Sequence, residues 1–564
     1  MTEQNLASAN RDVVVHSLQN FASLAVVGGE HSVVIDEPRE FEGDGVAPNP
    51  FGLVLSALGG CIAGTLRGVA RQHDFDYDRA TVRLSLRVNR PTGGPLDPGE
   101  RALRIARIIV RVTVHGALSA DQQQAPRARR RDLPGRQHPA PRGQPRRVGG
   151  VRGMSGLDLV VDNARLVDGR VVSLGVREGR YALVGEADAA EAGTRIDAGG
   201  RLVTESFVNG HMHLDKVYTL PMAGDGALTA YTSDDMGAAM RSIVEDASAV
   251  KRHYDRSWIV PNVRRALDRA VTHGVLHVQA FVDVDTTAGL EGMEAVLAVR
   301  EEYRGLVDIQ VVAFPQDGLL RDEGAARLCE EALGPGADVV GGIPWIEASD
   351  RDALRHVEWA CALAERTGAR VAMLVDDAGD PSLRTTAMLA EAMLDHGLRG
   401  RGVACHGRAI GTYPLPSVIR LVDLARTAGL GFVSDPHTGP LHLPVRRFLD
   451  DGLAVALGQD DIEDAYYPFG RHNLLEVAFL AAHTLGFLTD ADQARLLDMI
   501  TRRAARVLGI EGHEIAEGNV ANLCVHHDER LVDVLREHAP PRWVVRAGRV
   551  VAESEVTSRI LRPH

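Results

Sequence analysis

Two histidines stand one residue apart, His211 and His213 in the stretch FVNGHMHLDK, just after an apolar run and a glycine. Side chains alternate faces along a strand, so the two imidazoles point one way while Met212 turns away. Such a pair at a strand end can share a divalent cation, although two ordinary histidines give the same pattern. Two later runs also close on polar groups. RGVACHG places His406 after an apolar segment, and LAVALGQDD ends on Asp460 and Asp461. Imidazoles and a carboxylate at strand ends of one domain make a set that can hold a metal and activate water for hydrolysis. Taken singly, His406 also reads as a satisfied buried histidine and Asp460 as a helix N-cap.

The elements that must position these groups follow from the pattern around them. Beyond Thr204, strand-like runs such as VLHVQAFVDVD, DIQVVAFP, ADVVGGIP, ARVAMLV, RGVACHG, LGFVSDP and LAVALGQDD alternate with helix-length amphipathic stretches. That alternation predicts an α/β fold, a parallel (β/α)8 TIM-type barrel over 208–510, whose reactive groups sit at the C-terminal ends of the strands. Short strands at 155–207 and again at 511–564 predict a small β-sandwich built from the two flanks of the barrel. An N-terminal α+β unit, 1–118, alternates strand-like SLAVVGG, HSVVIDE, TVRLSLRVNR and RIIVRVTVHG with one long apolar helix pattern. Between them, 119–154 is rich in Arg, Pro and Gly and nearly free of aliphatic residues. Such a segment cannot bury enough apolar surface to offset its ordering entropy and reads as a disordered linker, or as out-of-frame readthrough before a fresh start at Met154.

An apolar fraction of 45% and a charged fraction of 25% are those of a soluble globular protein, and at 564 residues the chain holds several units. The formal net charge of -13 argues against nucleic-acid or anionic-membrane partners and leaves small-molecule chemistry as the default. No run approaches the roughly 20 apolar residues that span a bilayer, and the N-terminus lacks the layout of a signal peptide, so a cytoplasmic location is expected. Five cysteines without a CxxC pair exclude a disulfide framework and a cysteine zinc site. Lys216 and Lys251 are the only lysines; nearly all basic charge is arginine.

Over about 155–560 the sequence resembles the amidohydrolase superfamily, and most closely its cytosine deaminase branch, with likeness also to N-isopropylammelide hydrolases. The resemblance rests on VNGHMHLDK, HVQAFVDVD, DIQVVAFPQDGLL, GADVVGGIPWIE, GQDDIEDAYYPFGRHNLLEV and ITRRAARVLGIEGHEIAEGNVANLCV, in order and spacing. It implies one divalent metal ion, iron or zinc, held by His211, His213 and Asp460, with His406 beside the metal-bound water. The activity implied is hydrolysis of a non-peptide C–N bond in a cyclic amidine or related N-heterocycle by metal-bound hydroxide. Gln316 in FPQDG then contacts the amide edge of the ring, and a carboxylate, here Asp377, shuttles the proton. Asp461 is a further candidate for the substrate pocket, and Tyr466 and Tyr467 read either as pocket wall or as core.

Departures from the family pattern matter. Where cytosine deaminases carry HCDE on the fifth strand, this chain reads MLVDD, so Leu374 stands at the ligand histidine and Asp377 at the catalytic glutamate. Gln459 replaces the histidine before the last-strand aspartate, and Trp345 replaces the histidine of an IPHFE-like segment, offering a flat apolar wall to the substrate. Three arrangements fit the missing ligand. His406 moves from positioning water to ligating the metal, beside His211, His213 and Asp460; or Asp376 or Asp377 reaches the metal; or the site is empty and the barrel is a metal-free binding module.

Residues 12–118 resemble the OsmC/Ohr family, on the stretch GVAPNPFGLVLSALGGCIAGTLRGVARQHDFDYDRATVRL. Members form intertwined dimers, which implies a homo-oligomer, and reduce organic peroxides through two cysteines. Cys61 stands at the first of these, but no cysteine follows until Cys329. The alternatives for Cys61 are a lone reactive thiol and a buried structural residue.

Overall fold

The computed structural model describes residues 156–186, 192–223, 247–334, 336–437 and 441–561, and below residue 116 five strands with a few positions between 48 and 55. The chain divides into two units, Met1–Val148 and Gly149–His564. In the first, Val13–Ser17, Ser23–Val27 and His31–Ile35 form an antiparallel meander, and Arg79–Asn89 pairs antiparallel with Arg104–His115. Four of these match strand-like runs of the sequence. The fifth, VVVHS, carries no alternation that would set it apart. Cys61 and the 119–154 segment lie outside the described residues.

In the second unit, eight parallel strands run in sequence order: Phe207–His213, Val275–Asp283, Asp308–Phe314, Val339–Gly342, Arg370–Val375, Gly402–His406, Gly431–Ser434 and Val455–Leu457. The first and eighth meet through Met212 and Asp460, which closes the sheet into the TIM-type barrel. These strands are buried on both faces, so they read as continuous apolar runs, and their alternate residues enter two different cores. Val208, Phe281, Val312, Ala372, Leu374, Val403, Cys405 and Val433 fill the barrel interior. Met212, Ala280, Val311, Met373, Ala404 and Phe432 pack outward against the helices.

The helices present matching stripes. Asp350–Thr367 buries Ala353, His356, Val357, Ala360, Cys361 and Ala364 at three- and four-residue spacing, begins at a Ser349 N-cap and ends at Gly368 with φ 75°. No helix among the described residues is long and apolar enough to cross a membrane.

Both flanks of the barrel contribute to a pair of sheets. One orders Arg180–Gly185, Val171–Arg177, Leu157–Arg165 and Ala192–Asp197; the other orders Val203–Glu205, Leu523–Val525, Trp543–Arg546 and Arg549–Glu553. Leu159, Val161, Leu174, Val176, Leu523, Val525 and Val545 share one apolar core between them. The second sheet joins chain segments more than 300 residues apart, since Thr204 pairs with Cys524.

Candidate active site

The site starts from the first barrel strand. Its register against the second shifts between Asn209 and Met212. Val208 faces the barrel interior before the irregularity; after it His213 lines the mouth and His211 lies buried against Asp460. Gly210 is required here: a Cβ would lie 3.0 Å from Val433 Cγ2 of the seventh strand. The His211 and His213 ring centroids stand 5.0 Å apart, and Phe281 packs edge-on at 4.3 Å from His211. Burying a phenylalanine contributes about 2 kcal/mol, so the ring that orients His211 also stabilises the barrel.

Asn209 clasps the seam. Its Oδ1 accepts the His211 N–H at 3.3 Å and the Gln459 N–H at 3.0 Å. Its Nδ2 donates to His472 Nε2 at 3.1 Å, and His472 Nδ1 donates to Ala266 O at 3.1 Å. The seam itself is two backbone hydrogen bonds, His213 N to Asp460 O at 3.0 Å and Asp460 N to His211 O at 2.9 Å.

Three strand ends turn through the left-handed region on non-glycine residues: Asp376 at φ 45°, His406 at 68° and Asp460 at 59°. Such backbone costs of order 1 kcal/mol each and is held where the surroundings fix it. His406 and Asp460 reach the mouth this way. Asp460 Oδ1 lies 2.9 Å from His211 Nε2 and 3.7 Å from His213 Nε2, and the His406 ring is 4.9 Å from that of His211. His213, Gln316, Ile343, Leu374, Asp377, His406, Asp460, Asp461 and Tyr466 line a cavity of about 320 Å³, its open mouth included.

Burial dominates the electrostatics. It brings His406 down to about 4, against the pull of Asp377 and Asp460, and with Lys216 it holds His213 well below the ordinary range. Both imidazoles are therefore neutral, with lone pairs available to a metal. Burial also works against ionising Asp460, but His211, 2.9 Å from its Oδ1, outweighs it and keeps that carboxyl well below the usual range. Burial and the Asp460 charge push Asp435 up to about 8 and Asp461 well above the carboxylate range.

Two contributors escaped the sequence reading. Arg408, buried two residues after His406, lies 3.2 Å from His406 Nδ1, 3.3 Å from Asp377 Oδ1 and 4.0 Å from Asp460 Oδ2. Asp435, at the end of the seventh strand, places Oδ2 3.4 Å from His406 Nδ1. Both follow apolar runs, and the position after a strand was the available signal.

The donor set fits a divalent cation. Ligand atoms of His211, His406 and Asp460 lie within 4.8 Å of one another, as do those of His213, Asp460 and Asp461. His213 Nδ1 and Asp461 Oδ1 are buried without a hydrogen-bond partner. Of the carboxyl groups here, Asp377 and Asp460 share the one guanidinium of Arg408. Mixed imidazole and carboxylate donors suit zinc or iron.

The sequence model of the amidohydrolase family matches residues 194–552. The chain belongs to the amidohydrolase family. Membership supports a metal-dependent hydrolase of carbon–nitrogen bonds. N-isopropylammelide isopropyl amidohydrolase of Pseudomonas sp. (strain ADP) is 28% identical over 406 residues, 71% of this chain and 98% of that protein. The structure of 5-methylcytosine deaminase from Klebsiella pneumoniae, liganded with 5-fluorocytosine, is similar at 29% identity and TM-score 0.65, covering 71% of this chain and 99% of the deaminase. N-isopropylammelide isopropylaminohydrolase from Burkholderia multivorans follows at 26% identity and TM-score 0.61, covering 70% and 98%. Residues 43–131 match the OsmC-like protein family, reaching past residue 118 into the segment read as a linker.

Within the amidohydrolase barrel, Leu374 points into the cavity beside His213, His406 and Asp460. The fifth-strand position is thus geometrically a ligand position filled by a side chain that cannot ligate. Asp376 does not reach the mouth. Its Oδ1 accepts from Thr385 N and Oγ1, both at 2.7 Å, and its Oδ2 from Thr386 N at 3.2 Å, which caps the helix Thr385–Asp395. Asp377, one residue on, does line the cavity. Trp345 departs from its expected place: it is buried in the 3-10 turn Pro344–Ile346, within the interior apolar core, and Ile343 lines the cavity instead. The turn rotates Trp345 off the face that a continued strand would give it. Tyr466 lines the cavity, whereas Tyr467 stacks on His437 at 4.4 Å.

Proposed function

We propose that this protein hydrolyses an exocyclic C–N bond of an amino-substituted N-heterocycle in the manner of a cytosine deaminase. The observation that carries the reading is the convergence of His213, His406 and Asp460 on one cavity that Asp377 and Gln316 also line, with His211 within ligand distance of His406 and Asp460. These four residues would hold the metal, with His406 as a ligand in place of the fifth-strand histidine. A divalent ion there supplies the Lewis acidity that makes water a nucleophile at neutral pH.

The remaining steps belong to side chains of this chain. The cavity lined by His213, His406 and Asp460 would receive the substrate ring at its open mouth. Ile343, Leu374 and Tyr466 give that ring apolar walls, and Gln316 anchors its amide edge. Asp377 Oδ1 takes the proton of the attacking water and returns it to the departing nitrogen. The C–N bond breaks, and a ring carbonyl replaces the amine. Arg408, 3.3 Å from Asp377 Oδ1, stands beside that carboxylate during both transfers.

Metal analysis joined to amine release tests the reading. Purified full-length protein reconstituted with zinc or ferrous iron is expected to hold one equivalent and to release amine from aminopyrimidines or aminotriazines. The double variant H211A/H213A loses both. Absence of bound metal after reconstitution of the wild type overturns the proposal.

A further inference from the structure

The chain has only two lysines, and both are buried near the substrate cavity. Lys216 follows the histidine pair. Its Nζ lies 2.8 and 3.0 Å from the two oxygens of Asp283 and 3.2 Å from Gln316 Oε1. An ammonium has three N–H donors and no acceptor, so these contacts use all three. They also decide which end of the Gln316 amide faces which way. An amide end turned toward a donor-only ammonium must be its oxygen, and the NH2 end is left for the cavity that Gln316 lines.

The holder is itself held. Asp215 Oδ2 accepts the Asp283 N–H at 2.9 Å and the Tyr254 hydroxyl at 2.7 Å. Gln316 is 3% exposed, and a buried amide cannot turn over without breaking its bond to Lys216. Gln316 thereby presents a fixed donor to the same cavity that Asp377 and Asp460 line.

We infer that Lys216 is a positioning residue for specificity: by fixing the Gln316 amide with NH2 toward the substrate, it selects amino-heterocycles that carry a ring carbonyl opposite the scissile amine, and rejects diamino rings. The inference rests on the hydrolase reading and deepens it. A ring amine at that end would meet the Gln316 NH2 donor to donor, leaving both without partners. That mismatch lowers affinity by about 10- to 100-fold.

The test uses the metal-reconstituted full chain and two probes that differ at one substituent, cytosine and 2,4-diaminopyrimidine. Affinities come from titration calorimetry, and kcat/KM from amine release. Wild type is expected to prefer cytosine by at least 10-fold in both readouts. K216M frees the amide to turn over and narrows the preference to within about 3-fold, with the loss mainly in KM. Q316E, which removes the donor while keeping a partner for Lys216, guards against misfolding of K216M and is expected to shift preference toward the diamino ring. Equal affinities in wild type, or an undiminished preference in K216M, overturn the inference. Binding with the expected preference but without amine release overturns the hydrolase reading alone, and binding of neither probe overturns both.

Discussion

His472 gives the barrel seam a defined acid limit. Burial brings its imidazole down to about 4 from the ordinary 6.5. In the neutral form Nε2 accepts from Asn209 and Nδ1 donates to Ala266 O. A second ring proton would face the Asn209 amide donor. The unfolded chain takes up that proton first as pH falls, so this contribution to stability is complete above about pH 6.5 and disappears toward pH 4. With folded and unfolded values of about 4 and 6.5, the linkage between pH 7 and pH 4.5 amounts to about 2 kcal/mol. The assay is urea unfolding followed by tryptophan fluorescence. All four tryptophans, Trp258, Trp345, Trp359 and Trp543, belong to the second unit, so the signal reports that unit alone. H472Q should be less stable than wild type at pH 7 by about 1–3 kcal/mol, because two buried hydrogen bonds are disturbed. The gap should then narrow by about 2 kcal/mol on acidification to pH 4.5. Other buried histidines, among them His277 and His526, act on both curves alike and cancel in the difference. Parallel stability curves between pH 7 and pH 4.5 would refute this account of the clasp.

Two further outcomes are expected. L374H restores an imidazole to a position that already lines the cavity, and it should slow metal loss to a chelator by about 10-fold or more; an unchanged rate means that another residue already fills the coordination. D376A removes three hydrogen bonds from the start of the helix Thr385–Asp395, and it should lower unfolding stability by about 2–3 kcal/mol while leaving metal stoichiometry intact; loss of metal would show that Asp376 serves the ion after all.

Much of the site was legible because a barrel delivers its chemistry at strand ends. His211, His213, His406 and Asp460 each follow an apolar run, and period-two alternation put His211 and His213 on one face, whereas Gln316 was read only through the family resemblance. Neighbours could not be told apart where the strand ends in a turn. Asp376 and Asp377 are adjacent and chemically alike, and only the left-handed backbone at Asp376 sends one to a helix and leaves the other at the cavity. Trp345 was read from the resemblance alone, which carries no sign of the 3-10 turn Pro344–Ile346 that packs it among interior apolar side chains. Contacts spanning long separations left no local trace. Lys216 meets Gln316 across 100 residues, and Asn209 meets His472 across 263. Arg408 and Asp435 read as ordinary charges after strands until the fold brought both to His406.

The seam of the barrel and the candidate metal centre are the same stretch of backbone. His211 and His213 come from the first strand, Asp460 comes from just past the eighth, and their peptide groups bond to one another as their side chains converge. An ion held by these residues therefore binds only a chain whose two distant ends have already met, and each occupied site strengthens that closure by mass action. Metal retention then acts as a proofreading of assembly. A truncated or unclosed barrel fails to capture the ion, and hydrogen exchange at the His213 and Asp460 amides reports capture and closure as one event.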